Sequence, residues 1–429
     1  MVKPGEAPEL GDPVVDGGWS MALVLRGGTL IDGSGGDPVA DAVVVAEGEL
    51  ITRVGGRAEP PAAAEVLDCD GLTLLPGLID AHSHLGLVAV EGVERVPAAI
   101  TAAQVFRNCE LALDGGFTTV RDVAGIDGGV ARAVAEGLVR GPRILPSGPL
   151  LSQTGGHGDH RPAFLDAHHY DYRGIPGLVQ TNATCDGPDE VRLAARRAFR
   201  HGATQIKVCV SGGVVSFTDS LEDAQFSVAE LRAAVEEAEA RGTYVTAHAH
   251  SVRGILNGIE AGVSCFEHGT FLDEATARHM AAAGADLVPT FAVLRLMIRQ
   301  WREWGVPEAA LPRLAGVEDA MAASMKLALA AGVRVGSGSD ILGPRQERRG
   351  LELVVKSELL GPMAAITSAT ATNAGILRMG ERLGRVAEGL LADVIAVDGD
   401  PLAEPGLFED PARVVLVVKA GEVVKDTRA

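Results

Sequence analysis

The sequence predicts an α/β protein built on a (β/α)8 barrel, with a small β-sandwich formed from both ends of the chain. Three observations lead to this prediction. Short apolar segments alternate with helical stretches through the middle of the chain, most of these segments end in histidine, lysine or aspartate, and short strand-like segments cluster at both ends. The active sites of β/α barrels lie at the carboxyl ends of the strands, so side chains that end the strands would meet there.

The β-sandwich is predicted from strand-like segments bounded by glycine or aspartate turns, at residues 22–28, 42–45, 50–54, 393–397 and 413–418. The two terminal sets are expected to combine, because isolated hairpins are only marginally stable. We therefore divide the chain into three parts: a flexible extension rich in proline, glycine and acid at 1–20, a composite β-sandwich from 21–75 and 385–429, and a barrel from 76–384.

Within the barrel, the sequence predicts helices and strands in alternation. The helices are 100–113, 131–140, 189–201, 228–241, 253–261 and 273–283, and two of the strands are 117–123 and 143–147. Two long connections, 151–187 and 211–227, interrupt the alternation. Loops of this length in a compact domain are usually functional or disordered. Because both leave the predicted rim, we expect them to form a substrate pocket.

Composition narrows the range of partners and compartments. The 429 residues are 47% hydrophobic and 22% charged, which are ordinary globular values. A formal net charge of -19 without a dense basic cluster argues against nucleic acid and anionic membranes as partners. No apolar run reaches the ~18 to 20 residues that a membrane span needs. Five scattered cysteines without a CxxC motif, and an amino-terminal stretch unlike a secretory signal, predict a cytoplasmic protein.

Two histidines, His82 and His84, close an apolar run that begins near Leu75. On a β-strand, residues i and i+2 share a face, so both imidazoles can reach one metal ion. The pair alone is weak evidence, because strand-end histidines also occur in cores and on surfaces.

Further metal-competent side chains end later strand-like segments, and in chain order they are Lys207, His248, His250, His268 and Asp340. Their shared position at strand ends predicts a metal site at one rim of the barrel. Lys207 is the unusual member, because an ammonium group has three donors and no acceptor and cannot ligate a cation unless its chemistry changes.

This ordered set resembles the amidohydrolase superfamily, which comprises metal-dependent hydrolases with a distorted (β/α)8 barrel and a composite second domain. The resemblance covers nearly the whole chain from about residue 21. Within the superfamily, the segments 206–208, 155–159 and 225–227 are most similar to the group of prolidases (Xaa-Pro dipeptidases) and carboxypeptidases. Amidohydrolases that degrade ochratoxin-like N-acyl amino acids are similar to that group.

The resemblance implies two divalent metal ions, of which zinc is the default because it accepts histidine, carboxylate and carbamate ligands. It implies that CO2 carboxylates Lys207 to a carbamate that bridges the metals. His82 and His84 would hold the first metal. His248 and His268 would hold the second, with His250 as a rival to His248 on the same strand face.

Asp340 would contact the first metal, take a proton from the bridging water and pass it to the leaving amine. His157, in a glycine-rich loop, is predicted to polarise the scissile carbonyl or to bind a substrate carboxylate. Other predicted substrate contacts are Gly156, Val214, Val215 and Phe226. Phe226 lies where the resembling dipeptidases commonly have a tyrosine, so a hydroxyl contact to the substrate would be missing.

The predicted function is hydrolysis of an amide bond in a dipeptide or N-acyl amino acid, through attack of a metal-bridging hydroxide. Two alternatives stay open at this point. One is a cyclic-amide hydrolase similar to imidazolonepropionase, which works with one metal and no carbamate, and Lys207 argues against it. The other is a metal-binding scaffold without catalysis. The expected partner is a small-molecule or dipeptide substrate, and a homo-oligomer is compatible with the resemblance.

One neighbour of the proposed ligands is predicted to have a structural role. Glu267 directly precedes His268. Because successive side chains of a strand point to opposite faces, Glu267 is expected to point to the other face from His268.

Overall fold

The computed structural model describes residues 21–56, 64–88, 96–161, 174–214, 219–304, 308, 311–343 and 345–428. The predicted extension at 1–20 lies outside these residues. The strands are β1 Ala22–Arg26, β2 Thr29–Leu30, β3 Val43–Glu47, β4 Leu50–Gly55, β5 Ala64–Asp68, β6 Leu72–Pro76, β7 Leu78–Ser83, β8 Phe117–Asp122, β9 Gly125–Ile126, β10 Arg143–Pro146, β11 Leu150–Ser152, β12 Gly174–Ile175, β13 Val179–Gln180, β14 Asn182–Thr184, β15 Ile206–Cys209, β16 Val245–Ala249, β17 Cys265–His268, β18 Asp286–Val288, β19 Val394–Asp398, β20 Val414–Lys419 and β21 Glu422–Asp426.

The helices alternate with the strands through the middle of the chain. They are α1 Ala98–Asp114, α2 Gly128–Ala135, α3 Gly187–Arg200, α4 Val228–Glu239, α5 Val252–Ala261, α6 Glu274–Ala283, α7 Phe291–Arg299, α8 Leu311–Ala330, α9 Leu351–Leu360, α10 Pro362–Thr367 and α11 Asn373–Ile376, with a π-helical turn at Ser368–Thr372 and 3-10 turns at Gln346–Arg348, Pro405–Glu409 and Pro411–Arg413. In the part of the chain that the structure describes, no helix has both the length and the apolar character needed to cross a membrane.

Strands from both ends of the chain share one sheet beside the barrel. Its order is β2-β6-β19-β20-β21, and β6 pairs antiparallel with β19, with Leu75 opposite Ile395. A second sheet, in the order β4-β3-β1-β5, comes from the amino-terminal segment. Leu25 and Val44 of the second sheet belong to the same buried apolar cluster as Leu416 of the first. The two terminal segments therefore bury one common core, although the domain boundaries at 75/76 and 384/385 stay predictions.

The barrel strands run parallel, in two hydrogen-bonded groups. The first is β7, β8 and β10, and the second contains β11, β15, β16, β17 and β18. Residues 333–340 lie between the groups, because Leu287 N donates to Arg334 O at 3.0 Å and Ala81 N donates to Ser337 O at 3.0 Å. Parallel pairing brings the carboxyl ends of these strands to one rim.

One predicted helix differs from the structure. The sequence predicts a helix at 131–140, whereas α2 spans Gly128–Ala135. It begins earlier because the side chain of Asp127 accepts a hydrogen bond from Gly129 N, which caps the helix. It ends earlier because Gly137 has φ +71, a left-handed conformation that an α-helix excludes. The bounds of the other predicted barrel helices agree with the structure to within two residues.

The first long connection is more ordered than a loop. In the described residues of 151–187, β13 pairs antiparallel with β12 and with β9, and β14 pairs parallel with β11. Residues 162–173 of this connection lie outside the described residues. The small sheet of β12, β13 and β9 therefore pairs this connection with the segment that follows barrel strand β8.

Candidate metal centre

The structure brings the predicted ligands together at the carboxyl ends of the barrel strands. Lys207, His248 and His268 lie on the neighbouring strands β15, β16 and β17. The others are His82 and His84, at and just after the end of β7, and Asp340, which follows the segment between β18 and β7. All six are buried except Asp340, which is partly exposed.

The first group of ligand atoms surrounds the carboxylate of Asp340. Its Oδ1 lies 3.3 Å from Nε2 of His82 and 3.0 Å from Nε2 of His84. Its Oδ2 lies 3.8 Å from Nδ1 of His268. One ligand atom from each of His82, His268 and Asp340 lies within 4.8 Å of the others, which is a spacing that one cation can bridge.

The second group consists of His248, His250 and His268, whose ligand atoms also lie within 4.8 Å of one another. His268 therefore belongs to both groups. The ring of His250 is stacked on that of His268, with the centroids 5.0 Å apart, and its Nδ1 lies 2.7 Å from Thr270 Oγ1. The choice between His248 and His250 as ligand thus stays open, because both rings reach the centre.

Two of these residues have backbone conformations that are unusual for side chains with a Cβ. His268 has φ +65 and Asp340 has φ +54. Such left-handed conformations cost free energy in residues other than glycine, and they concentrate at functional sites. At His268, the last residue of β17, the backbone departs from the extended conformation of a strand.

Glu267 and His268, which follow one another in β17, both lie close to His82. Oε2 of Glu267 lies 2.7 Å from Nδ1 of His82, while the ring of His268 lies with its centroid 4.9 Å from that of His82. Neighbouring residues of one strand thus approach the same histidine from different sides. The interpretation of Glu267 as a structural residue stays a prediction, and its carboxylate lies directly behind the candidate metal ligand His82.

Glu267 is part of a buried charged network that the sequence analysis missed. Its Oε1 accepts a hydrogen bond from Arg121 Nη2 at 2.7 Å, and Thr246 Oγ1 donates to the same oxygen. Although burial alone would raise the pKa of Glu267, the charge of Arg121 holds it well below its ordinary value. The one available signal was a charged residue, Arg121, within the otherwise uncharged segment 117–121.

A second buried network holds the backbone around Asp340. Asp80 accepts hydrogen bonds from Ser339 N at 2.9 Å, from Ser339 Oγ at 2.6 Å and from His82 N at 3.2 Å. Arg349 Nη1 donates to the same carboxylate at 2.6 Å. Asp80 therefore ties the strand that carries His82 to the residue that precedes Asp340, and it was not recognised from the sequence either.

Lys207 is buried, with 2% of its surface exposed, and its Nζ has no hydrogen-bond partner among the described residues. Burial lowers the pKa of Lys207, which favours the neutral amine. A buried polar atom without a partner costs roughly 1–3 kcal/mol. A modification of this amine, or a ligand bound to it, would supply the missing polar partner.

The electrostatics of His248, His268 and Asp340 favour the protonation states of metal ligands, and His84 is the exception. Burial lowers the pKa values of His248 and His268 well below the ordinary histidine value, and neighbouring imidazoles add to this effect. Neutral imidazole is the form that binds metal. Burial acts in the opposite direction on Asp340, but His82 and His84 hold its pKa well below the usual range, so the carboxylate is ionised. Burial opposes protonation of His84 as well, yet its pKa is raised by Asp340.

Of the predicted substrate contacts, His157 lies beside the centre. Its ring is stacked on that of His248, with the centroids 4.0 Å apart. Burial lowers the pKa of His157 to about 3, so the ring is neutral and keeps one N–H donor at neutral pH. Gly156 precedes it in the same loop.

The remaining predicted contacts lie in the second connection. Phe226 is 4% exposed and belongs to the apolar core cluster of the barrel, against which the half-buried Val214 packs. Val215 lies outside the described residues. Contact of these side chains with substrate stays a prediction.

The chain is similar to proteins of known family. The model of the amidohydrolase family matches residues 73–424. The ochratoxinase of Aspergillus niger is 34% identical over 421 residues, which cover 94% of this chain and 86% of that protein. Its crystal structure superimposes with a TM-score of 0.85 over 95% of this chain and 96% of that chain, at 32% identity.

Two further crystal structures share the fold. A prolidase complexed with N-methylphosphonate-L-proline is 38% identical, with a TM-score of 0.88 over 95% of this chain and all of that one (100%). A Xaa-Pro dipeptidase with methionine bound in its active site is 30% identical, with a TM-score of 0.83 over 94% of this chain and 100% of that chain.

Proposed function

The chain belongs to the amidohydrolase family, and we propose that it uses two metal ions to cleave the amide bond of a dipeptide or an N-acyl amino acid. The family, the barrel-and-sandwich fold class and the class of metal-dependent hydrolase acting on C–N bonds, all predicted from the sequence, are confirmed by the relatives. The number of metals, their identity, the roles of single residues and the substrate belong to the proposal.

One observation carries the proposal: two groups of ligand atoms share His268, and the amine of Lys207 is buried nearby without a partner among the described residues. In the proposal, His82, His84 and Asp340 hold one divalent ion, and His248 and His268 hold the other. Zinc suits such histidine and carboxylate ligands. A single-metal site would leave the second group of histidines without a role.

Carboxylation would convert Lys207 from a group that cannot ligate a cation into one that can. Its neutral amine uses the nitrogen lone pair to form a bond to the carbon of CO2, one C=O π bond becomes a lone pair on oxygen, and the nitrogen loses one proton to solvent. The product is a carbamate whose single negative charge is shared by its two oxygens. Burial favours the neutral amine that this reaction needs, and the absence of a hydrogen-bond partner among the described residues leaves the nitrogen lone pair available.

When bound, the two cations would polarise the scissile carbonyl and lower the pKa of water. The ionised carboxylate of Asp340 accepts the proton of the attacking water and then protonates the leaving amine. His157, neutral and adjacent to His248, donates its N–H to the substrate carbonyl or carboxylate. Glu267 holds Nδ1–H of His82 so that Nε2 faces the centre.

The substrate class follows from the chemistry of the relatives' ligands. N-methylphosphonate-L-proline, bound to the related prolidase, carries a tetrahedral phosphorus on the proline nitrogen. That geometry matches the tetrahedral carbon that forms when water attacks an amide of proline. We therefore propose that this chain cleaves an amide whose nitrogen belongs to an amino acid with a free carboxylate.

The test is release of amino acids from a panel of Xaa-Pro dipeptides, other dipeptides and N-acyl amino acids, with zinc and bicarbonate, beside chelated controls. Chelator-sensitive release of proline alone would define a prolidase, and release of bulky or aromatic amino acids would define a carboxypeptidase or N-acyl amino acid hydrolase. If the protein binds two metals but hydrolyses no substrate of the panel, the proposal is contradicted. The alternative of a metal-binding scaffold without catalysis is then favoured.

The metal content and the mass of the protein distinguish the proposed function from the cyclic-amide hydrolase, which is the other alternative. Two metals per chain and a mass increment of one CO2 on Lys207 are expected. One metal and an unmodified amine would favour a cyclic-amide hydrolase similar to imidazolonepropionase.

We also propose that the protein works in the cytoplasm. Its five cysteines are free and buried, as expected in a reducing compartment. Fractionation of native cells tests the location, and the native mass in solution tests for a homo-oligomer.

A further inference from the structure

The two long connections at the rim are joined by hydrogen bonds around the main chain of His157. We propose that Gln225 is a positioning residue, whose carboxamide holds His157 against the metal centre by its backbone N–H. The inference rests on the role proposed above for His157, and it adds a residue that acts through the main chain of His157.

The carboxamide of Gln225 connects two segments directly. Its Oε1 accepts a hydrogen bond from His157 N at 3.0 Å, and its Nε2 donates to Asp219 Oδ2 at 2.7 Å. The other oxygen of Asp219 accepts a hydrogen bond from Gly213 N at 3.3 Å. Gln225 itself is 2% exposed, and its own N donates to Val210 O at 2.9 Å. The side chain is therefore held at both ends.

The polarity of this arrangement is determined by Asp219. An ionised carboxylate only accepts hydrogen bonds, so the NH2 end of Gln225 must face Asp219. The carbonyl end must then face His157 N–H, which only donates. Gln225 therefore fits this place because it offers a donor and an acceptor on one planar group, which neither glutamate nor an apolar residue offers.

Two glycines allow the close approach of these segments. A Cβ at Gly156 would lie 2.7 Å from Oε1 of Gln225, and a Cβ at Gly213 would lie 2.1 Å from Nδ1 of His157. Any larger residue would displace the ring or the carboxamide. The backbone at Gly156 thus lies against the carboxamide of Gln225, and the backbone at Gly213 lies against the ring of His157.

A reciprocal bond joins the same two connections. Gln153 Oε1 accepts a hydrogen bond from Phe226 N at 2.5 Å. Each connection therefore contributes one glutamine whose side-chain oxygen binds the main chain of the other. Phe226 has φ +54, and this turn exposes its N–H to Gln153.

The position of His157 matters because its ring is stacked on that of His248, with centroids 4.0 Å apart. A misplacement of about 1 Å in a catalytic group can cost on the order of 100-fold in rate. Loss of the Gln225 contact should therefore lower kcat by about 10- to 100-fold. The metal ligands do not depend on this contact, so two metals per chain should remain.

The test uses three variants of the full chain loaded with metal. Q225E places a second carboxylate beside Asp219, and Q225A removes both hydrogen bonds without adding charge. The double variant D219N/Q225E reverses the donor and acceptor, because the new amide at position 219 can donate to the new carboxylate at position 225 and still accept from Gly213 N. Q104E, an exposed glutamine in α1, is the matched control.

Four quantities are measured: kcat, KM, bound metal and hydrogen–deuterium exchange of residues 153–161. We expect Q225E and Q225A to lower kcat at least about 10-fold, to accelerate exchange of this segment, and to keep both metals. The double variant should return kcat and exchange to within about 3-fold of the wild type. A general loss of structure would instead accelerate exchange throughout the chain and would not be rescued.

Unchanged exchange in both single variants, unchanged kcat despite faster exchange, or a double variant no better than Q225E would each overturn the inference. If the wild-type chain cleaves none of the amide substrates, the proposed function fails separately. In that case the exchange of the His157 segment, with its rescue in the double variant, still decides whether Gln225 holds it.

Discussion

Oε2 of Glu267 lies 2.7 Å from Nδ1 of His82, and neither side chain is more than 2% exposed. The carboxylate is ionised and can only accept, so Nδ1 of His82 donates a proton to it. Nε2, the other ring nitrogen, faces Asp340 and His84. Glu267 thus leaves Nε2 as the nitrogen of His82 that is available to the candidate metal centre.

E267Q should weaken metal binding about 10- to 100-fold, because an amide can turn its NH2 group toward His82 and reverse the tautomer. It should also destabilise the fold by about 3–5 kcal/mol, since Arg121 loses its buried counter-charge. Zinc titration and urea unfolding measure the two effects. E274Q, which breaks the exposed Glu274–Arg278 pair, is the matched control and should cost less than about 1 kcal/mol. Full zinc affinity in E267Q would contradict the assigned tautomer.

K207M should abolish binding of two metals, because the proposed carbamate cannot form without the amine. The metal-free protein should be as stable as the metal-free wild type or more stable, because a buried amine without a partner among the described residues is replaced by an apolar group of similar size. Metal analysis and unfolding of the chelated proteins measure both effects. K326M, at an exposed position of α8, serves as control. If K207M binds two metals and keeps full activity, the proposed carboxylation of Lys207 is wrong.

D340N should keep the fold and most of the bound metal, because an asparagine side chain retains a carbonyl oxygen as ligand. It should lower kcat by about 10²- to 10⁴-fold, because the amide cannot accept the proton of the attacking water. Steady-state kinetics and metal analysis of the same sample measure the two effects. D319N, on the exposed side of α8, is the control. Activity retained within a few-fold would remove Asp340 from its role as base.

G213A should misplace His157, since the new Cβ would lie 2.1 Å from Nδ1 of its ring. We expect lower kcat and a less stable protein. G316A is the matched control, because Gly316 lies in α8 with no atom within 4 Å of an added Cβ. Alanine there should stabilise the helix by about 1 kcal/mol. Equal kcat in G213A and G316A would show that the ring does not depend on this contact.

His157 should make stability depend on pH in the metal-free protein. Burial lowers its folded-state pKa to about 3, whereas histidine in an unfolded chain titrates near ~6.5. Between these values the unfolded chain binds a proton that the folded chain does not, so His157 makes stability fall as pH decreases through this window. H157N should reduce the slope of unfolding free energy against pH by up to about 1.4 kcal/mol per pH unit. An unchanged slope would mean that His157 is not buried as a neutral ring.

The local sequence pattern was sufficient to predict those features of the fold that depend on neighbouring residues in the chain. Alternation of apolar and helical segments placed five of the six predicted barrel helices to within two residues. The strand-end positions of His82, Lys207 and His248 predicted that they meet at one rim. The exception, α2, ended early at a left-handed glycine. Whether Gly137 would take that conformation depends on the chain that follows it.

The sequence by itself determined the family, the fold class and the residue types that gather at the rim, because each depends on spacing along single strands and helices. Only the tertiary structure decided the contacts that hold them. Glu267 meets His82 across 185 positions, and Arg349 meets Asp80 across 269. Such contacts depend on how distant strands pack and on a left-handed turn at His268. No local periodicity encodes either, because both result from the packing of the whole barrel.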